Sequence, residues 1–192
     1  MRVRTYNAVV AFSIFCVGAA LSSAAWAADE VDSPQYQAWA KFKPGSSATL
    51  TSDMKVGPNG SMSVHVEMTR TLVAVTPDHV EVDAASTAQV MGRGSNPTHV
   101  KSTIKAKEPA KNYQEAGTED VKAMDKTFKC KVIKLSGEAA ASEGSGRGGR
   151  APVNAKVTVY VNSDVPGGVV KMETVAEGAP PTTFILTGMN VK

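Results

Sequence analysis

Residues 156–174 read KVTVYVNSDVPGGVVKMET. Val157, Val159 and Val161 recur at every second position, which is the period of a strand whose two faces see different surroundings. Pro166-Gly167-Gly168 then breaks the run. Proline fixes φ and offers no donor, and the two glycines accept positive φ, so the chain turns and a second strand begins at once. Asp164 is placed to accept backbone N–H groups and open the turn. This hairpin sets the pattern for the rest of the sequence.

Upstream, SMSVHVEM places Val64, Val66 and Met68 on one face and Ser63, His65 and Glu67 on the other. HVEVDAASTAQV repeats the alternation with Val80, Val82, Ala84 and Val90. THVKSTIKAK does so with Val100 and Ile104 against His99, Lys101, Thr103, Lys105 and Lys107. Turn signals separate these runs at Gly57-Pro58-Asn59-Gly60, Pro77-Asp78 and Gly92 to Pro97. Residues 109–117 read as a polar connection. Thr118–Met124 and Thr127–Leu135 read as a hairpin around Asp125-Lys126. GVVKMETVA and TTFILTGM close the chain around Gly178 to Pro181. The expected fold is mainly β, a single curved antiparallel meander of 8–9 strands, half-barrel-like, because no helix long enough for a parallel crossover intervenes.

Two segments depart from the period of two. Ser33-Pro34 forms an N-cap with proline at the first helical position, and Tyr36, Trp39 and Phe42 form the aromatic cluster of a short helix over 34–42. Residues 136–153, SGEAAASEGSGRGGRAPV, are glycine-rich and without period, and read as a flexible loop. The Arg-Gly-Gly element there fits such a loop.

Residues 1–27 read as a secretory signal peptide, with Arg2 and Arg4 before an apolar stretch and Ala25-Trp26-Ala27 at its end. The remainder, 28–192, is expected to form one antiparallel β domain, periplasmic or secreted. Removing 27 of 192 residues leaves 165, with 19 basic and 18 acidic groups once Arg2 and Arg4 have gone. That near-neutral balance implies no nucleic-acid partner.

Catalytic patterns are missing from the sequence. Cys16 leaves with the leader, so Cys130 has no internal partner. It lies in phase with Phe128 and Val132, which favours a buried small hydrophobe over a reactive thiol or an intermolecular disulfide. His65, His79 and His99 fall on polar-facing positions without metal-ligand spacing. No Gly-x-Ser-x-Gly elbow, haem-attachment motif or defensible carboxylate pair occurs. Neither an enzyme nor a cofactor or metal is expected. Lys101, Lys105 and Lys107 with Lys129, Lys131 and Lys134 read as solvated strand surface; their functional alternative is a basic face for anionic head groups or polysaccharide.

AWAKFKPGSSATL (38–50), TLVAVTPDHVEVD (71–83), DKTFKCKVIKL (125–135) and VTVYVNSDVPGGVVKMET (157–174) occur in this order. Together they resemble a group of small exported bacterial proteins, common in planctomycete-like genomes. There an aromatic-Lys-Phe-Pro-Gly-Ser opening, a Gly-Lys-x-Phe-x-Cys strand and a Val-Pro-Gly-Gly corner recur. The resemblance spans most of 36–188, with Asp125-Lys126 in place of Gly-Lys and Tyr160 where Trp is frequent. The strand order is more distantly similar to that of periplasmic lipoprotein carriers, half-barrels closed by helices over an apolar cavity. That likeness implies a lipid or lipoprotein acyl chain on the concave face. Val64, Val66, Met68, Val80, Val82, Ile104, Phe128, Val157 and Val159 would then form the wall, and Trp39 and Phe42 a lid. One short helix is fewer than those carriers use. The alternative function is a structural or protein-interaction component of the periplasm or envelope, with a solid core and an envelope protein as partner.

Overall fold

The computed structural model describes residues 30–56, 60–109, 114–139, 153–176 and 181–192. Residues 1–27, where a signal peptide is expected, and residues 140–152 of the expected glycine-rich loop lie outside the described residues. In chain order the elements are β1 (Glu30–Asp32), α1 (Pro34–Ala40), β2 (Ser47–Val56), β3 (Met62–Val75), β4 (His79–Val90), β5 (Arg93–Gly94) and β6 (Thr98–Lys105). β7 (Lys107–Pro109), β8 (Gln114–Ala123), β9 (Lys126–Ala139), β10 (Val153–Val161), β11 (Val169–Ala176) and β12 (Thr182–Asn190) follow.

The chain is mainly β and antiparallel, and its main sheet has ten strands. Nine run in the order β5-β4-β3-β2-β12-β11-β10-β9-β8, and β6 also pairs with β4. β1 and β7 make a separate two-stranded ribbon. The expected count of 8–9 strands was therefore low, and the single meander was too simple. Two meanders, β2 to β6 and β8 to β12, are joined by pairing of the last strand with the first long one, as Leu186 lies opposite Leu50. β8 and the β5–β6 margin do not meet, so the sheet stays open.

Two expected connections are strand instead. Residues 109–117 contain the end of β7 and the start of β8, and the 136–153 segment contributes Ser136–Ala139 to β9 and Val153 to β10. Polar composition hid both. β8 lies at the sheet margin, with only Val121 and Ala123 buried, so it carries almost no apolar alternation.

Curvature follows from distances. Neighbouring strands lie ~4.8 Å apart, which would put β8 about 19 Å from β12 across a flat sheet. Cα atoms of β8 nevertheless come within 8 Å of those of both β11 and β12. This margin rolls over, and a buried cluster fills the roll: Val121, Ala123, Phe128, Cys130, Val132, Tyr160, Val165, Val170, Leu186, Leu50 and Ala48. β-bulges between Tyr160 and Val161 and between Leu186 and Gly188 interrupt the pairing there and permit the bend.

The other end is held by α1. Ser33 caps it through Oγ to the Tyr36 N–H, and Pro34 opens it. The helix ends at Ala40, two residues short of the expected Phe42, with Lys41 as its C-cap. Its buried Trp39 packs on Leu72, Val80 and Val82. Tyr36 Oη donates to the Thr76 carbonyl at 2.8 Å, fixing the helix against the β3–β4 turn.

Candidate functional site

In an antiparallel ladder, residues directly opposite share a face, so the register maps the sheet surface. The inner face is the one α1 packs against, which carries Leu72, Val80 and Val82. Even-numbered residues of β4 and of β3 up to Leu72 belong to it. Two cross-strand rows extend from it away from the helix.

The first row runs Ala88, Val66, Ser52 across β4, β3 and β2. It continues as Phe184, Met172, Val159 and Ile133 across β12 to β9, and Phe184 packs on the Met54–Val64–Val66 cluster. The second runs Val90, Val64, Met54, then Thr182, Thr174, Val157 and Leu135. Thr182 Oγ1 donates weakly to Met54 Sδ at 3.4 Å, joining its two parts.

Burial differs along these rows. Val64, Val66 and Met54 are buried, whereas Phe184, Met172, Val157, Val159, Ile133 and Leu135 are only half-buried. The half-buried group forms a continuous apolar surface over β9 to β12. Ser52 interrupts the first row with a hydroxyl that is buried and has no hydrogen-bond partner among the described atoms. Thr174 and Thr182 bring two more hydroxyls into the second row.

The structure divides the expected wall into three places. Val64, Val66, Val157 and Val159 share the two rows, although β3 and β10 lie four strand positions apart. Val80, Val82 and Ile104 belong instead to the packed cluster around Trp39, with Phe42 half-buried beside it. Met68 is half-buried against the largest cluster. Phe128 is on the wrong side of its own hairpin for a shared wall. Val132 lies opposite Tyr160, and Ile133 opposite Val159, so Phe128 and Val132 face away from Val157 and Val159. β9 is apolar on both faces, and a period of two cannot tell which face a ligand would meet.

Trp39 is sealed by the Val-Pro-Gly-Gly corner. The Gly167 N–H donates to the Ala38 carbonyl at 3.2 Å, and Gly167 and Gly168 adopt φ of 74° and 76°. Val165, Pro166 and both glycines are buried. Arg70 lies over the indole, 5.5 Å from its centroid. Asn162, rather than the expected Asp164, organises the turn. Its Oδ1 accepts from the Asp164 N–H at 2.8 Å and its Nδ2 donates to the Lys129 carbonyl at 2.9 Å.

No family model, curated protein or solved structure matches the chain. The side chains that could carry catalysis or metal binding have ordinary occupations among the described residues. His65 Nδ1 contacts Asp53 at 2.8 Å, His99 Nδ1 contacts Asp83 at 3.2 Å, and His79 Nδ1 contacts Thr76 Oγ1 at 3.0 Å. Cys130 is fully buried, and burial, helped by Asp120 and Glu119, pushes its thiol up to about 11. A thiol so held is protonated at neutral pH and is a poor nucleophile. The lysines of β6 and β9 do not form one basic face, since six strands lie between β6 and β9 along the sheet and Lys131 is paired with Glu115 at 2.9 Å.

One cluster escaped sequence reasoning. Lys171 Nζ lies 2.7 Å from Glu173 and 4.7 Å from the Tyr160 ring centroid, and Tyr160 Oη donates to Glu173 at 3.2 Å. The hydrogen bond from Lys171, against the opposing effect of burial, holds the Glu173 carboxyl below its usual range. Burial and the Glu173 charge raise Tyr160. The i, i+2 spacing of Lys171 and Glu173 on a strand was its only sequence signal.

Proposed function

We propose that the chain is an exported module that binds an apolar or amphipathic ligand, a lipid or lipoprotein acyl chain, on the sheet face that continues from the α1 side and over β9 and β10 is turned away from the rolled-in cluster. The observation that carries this reading is the half-buried apolar surface of Phe184, Met172, Val157, Val159, Ile133 and Leu135. Covering such surface is favourable at ~25 cal/mol per Å², or ~0.8 kcal/mol per buried methylene. Several methylenes then offset the loss of ligand freedom. The hydroxyls of Thr174 and Thr182 suit the oxygen-bearing end of an amphipathic ligand.

Trp39 serves this reading as a fixed stop at the helix end rather than as a moving lid, because Gly167 closes over it. Phe42 lies at the same end.

A fluorescent fatty acid titrated into the protein tests the proposal. Binding with blue-shifted emission is expected, and Val159→Asp should weaken it at least tenfold, since a carboxylate would meet the chain. Lys134→Asp, exposed on the other face of β9, is the control and should leave binding intact. Equal binding by wild type and Val159→Asp would refute the site.

A second reading, a structural or interaction component with a solid core, draws on the packed cluster that fills the rolled margin. It requires that the fatty acid not bind at all.

A further inference from the structure

Three hydroxyls occupy neighbouring positions on the proposed ligand face. Ser52 on β2 is 2% exposed, and its Oγ is buried with no hydrogen-bond partner among the described residues. Thr182 on β12 is level with Met54, the next residue on that face of β2. Its Oγ1 reaches the Met54 thioether at 3.4 Å, and a thioether is a weak acceptor. Thr174 on β11 lies directly opposite Thr182 and is half-buried. A hydroxyl buried without a partner costs stability. Packing alone gives no reason for one beside the Met54, Val64 and Val66 cluster.

The hydroxyls interrupt an apolar surface rather than end it. Val64 and Val66 lie beyond them on β3, and Val157 and Val159 lie beyond them on β10. Charge is remote. Among the described residues, β2, β10, β11 and β12 place no charged side chain on this face. β3 places only Arg70 there, over Trp39 and level with Ala48, four residues or about 14 Å along β2 from Ser52. Arg93, opposite Val90, is four strands or about 19 Å from Thr182. Lys131 is four residues along β9 from Leu135, which is level with Thr174 across Val157, and it is paired with Glu115.

We infer that the ligand of this face is an uncharged acyl ester, bound with its carbonyl at Ser52, Thr182 and Thr174 and with apolar chain running away on both sides. The inference rests on the reading of this face as a lipid site and names the chemistry that the site selects. An ester ends one acyl chain in oxygen yet continues as apolar chain beyond it, as the rows do beyond the hydroxyls. Its carbonyl accepts the hydrogen bonds that they offer. A free fatty acid carries a charge at its end. Placed at the hydroxyls, that carboxylate would leave water with no cation to pair it, at far greater cost than a neutral carbonyl. Ser52 is reached when Phe184 turns aside. That ring is level with Ser52 in the row, packs on the Met54, Val64 and Val66 cluster, and is only half-buried.

The test is displacement of a fluorescent fatty acid by three competitors of similar length, each delivered from cyclodextrin: octyl decanoate, nonadecane and oleate. Mildly alkaline buffer keeps the oleate ionised. Octyl decanoate is expected to displace the probe at about tenfold lower concentration than oleate. Ser52→Ala should weaken the ester about fivefold, the worth of one hydrogen bond, and leave nonadecane unchanged. Oleate that matches the ester, an ester affinity unchanged by Ser52→Ala, or a loss shared equally by ester and hydrocarbon overturns the inference and leaves the lipid site standing. A probe that does not bind wild type at all overturns the lipid site, and the inference with it.

Discussion

Gly167 lies against the indole of Trp39 so closely that a Cβ built on it would stand 2.5 Å from a ring carbon. The Pro-Gly-Gly corner is therefore both a turn and the cover of the helix. Gly167→Ala should cost about 2–4 kcal/mol, combining a left-handed backbone with overlap against a ring that has no room to retreat. Gly92→Ala is the matched control. Its φ is 77° with nothing within 4 Å of the added carbon, so it should cost only about 1 kcal/mol. Chemical denaturation of both variants measures the difference, and equal losses would show that the indole contact adds nothing.

Cys130 should be inert in the folded protein. With its thiol at about 11, the thiolate fraction at pH 7 is roughly one in ten thousand, and the sulfur is covered as well. A thiol reagent such as DTNB is expected to react at the rate of unfolding and rapidly in denaturant. Fast labelling under native conditions would contradict the packing of the rolled margin.

The Lys171–Glu173 pair ties stability to pH at both extremes. Glu173 is held below the usual carboxylate range, so its contribution is present above its unfolded pKa and is lost as pH falls through the lower folded value. Lys171 is raised, first by its hydrogen bond to Glu173. Its contribution is present below the usual lysine range and is lost as pH climbs through the higher folded value. Both groups are partly exposed, so the effect should be modest. Thermal melts of Glu173→Gln across pH should show a flatter acid limb than wild type. An unchanged limb would mean the pair is screened by solvent.

Ser52 has a buried hydroxyl without a partner in an apolar row. Such a group costs stability, and removing it relieves that cost. Ser52→Ala is expected to be neutral or to stabilise by up to about 1 kcal/mol in urea titration. A loss of 2 kcal/mol or more would show that the hydroxyl is engaged in the folded protein.

Much of this fold was legible because one alternation dominates. Val64 with Val66, and Val80 with Val82, read as inward on strands that are wet on the other side, and they are inward. The Ser33-Pro34 signal located α1 for the same local reason. What escaped was set by contacts distant in sequence. Leu50 opposite Leu186 joins the two meanders through a register that no local pattern encodes. Thr118–Met124 read as a strand, but the start of β8, from Gln114, hid because the exposed stretch there has no alternation to show. Phe128 was grouped with Val157 because β9 presents apolar side chains on both faces. The glycines at 167 and 168 announced a turn, but the indole that requires the first of them lies more than a hundred residues earlier.

The inner face is best tested by lipid mass spectrometry of the protein purified after export from a bacterial host. Near-stoichiometric fatty-acyl lipid is expected with wild type and its clear depletion with Val159→Asp. A wild-type protein that is folded, correctly processed and free of any bound lipid would contradict the proposed function.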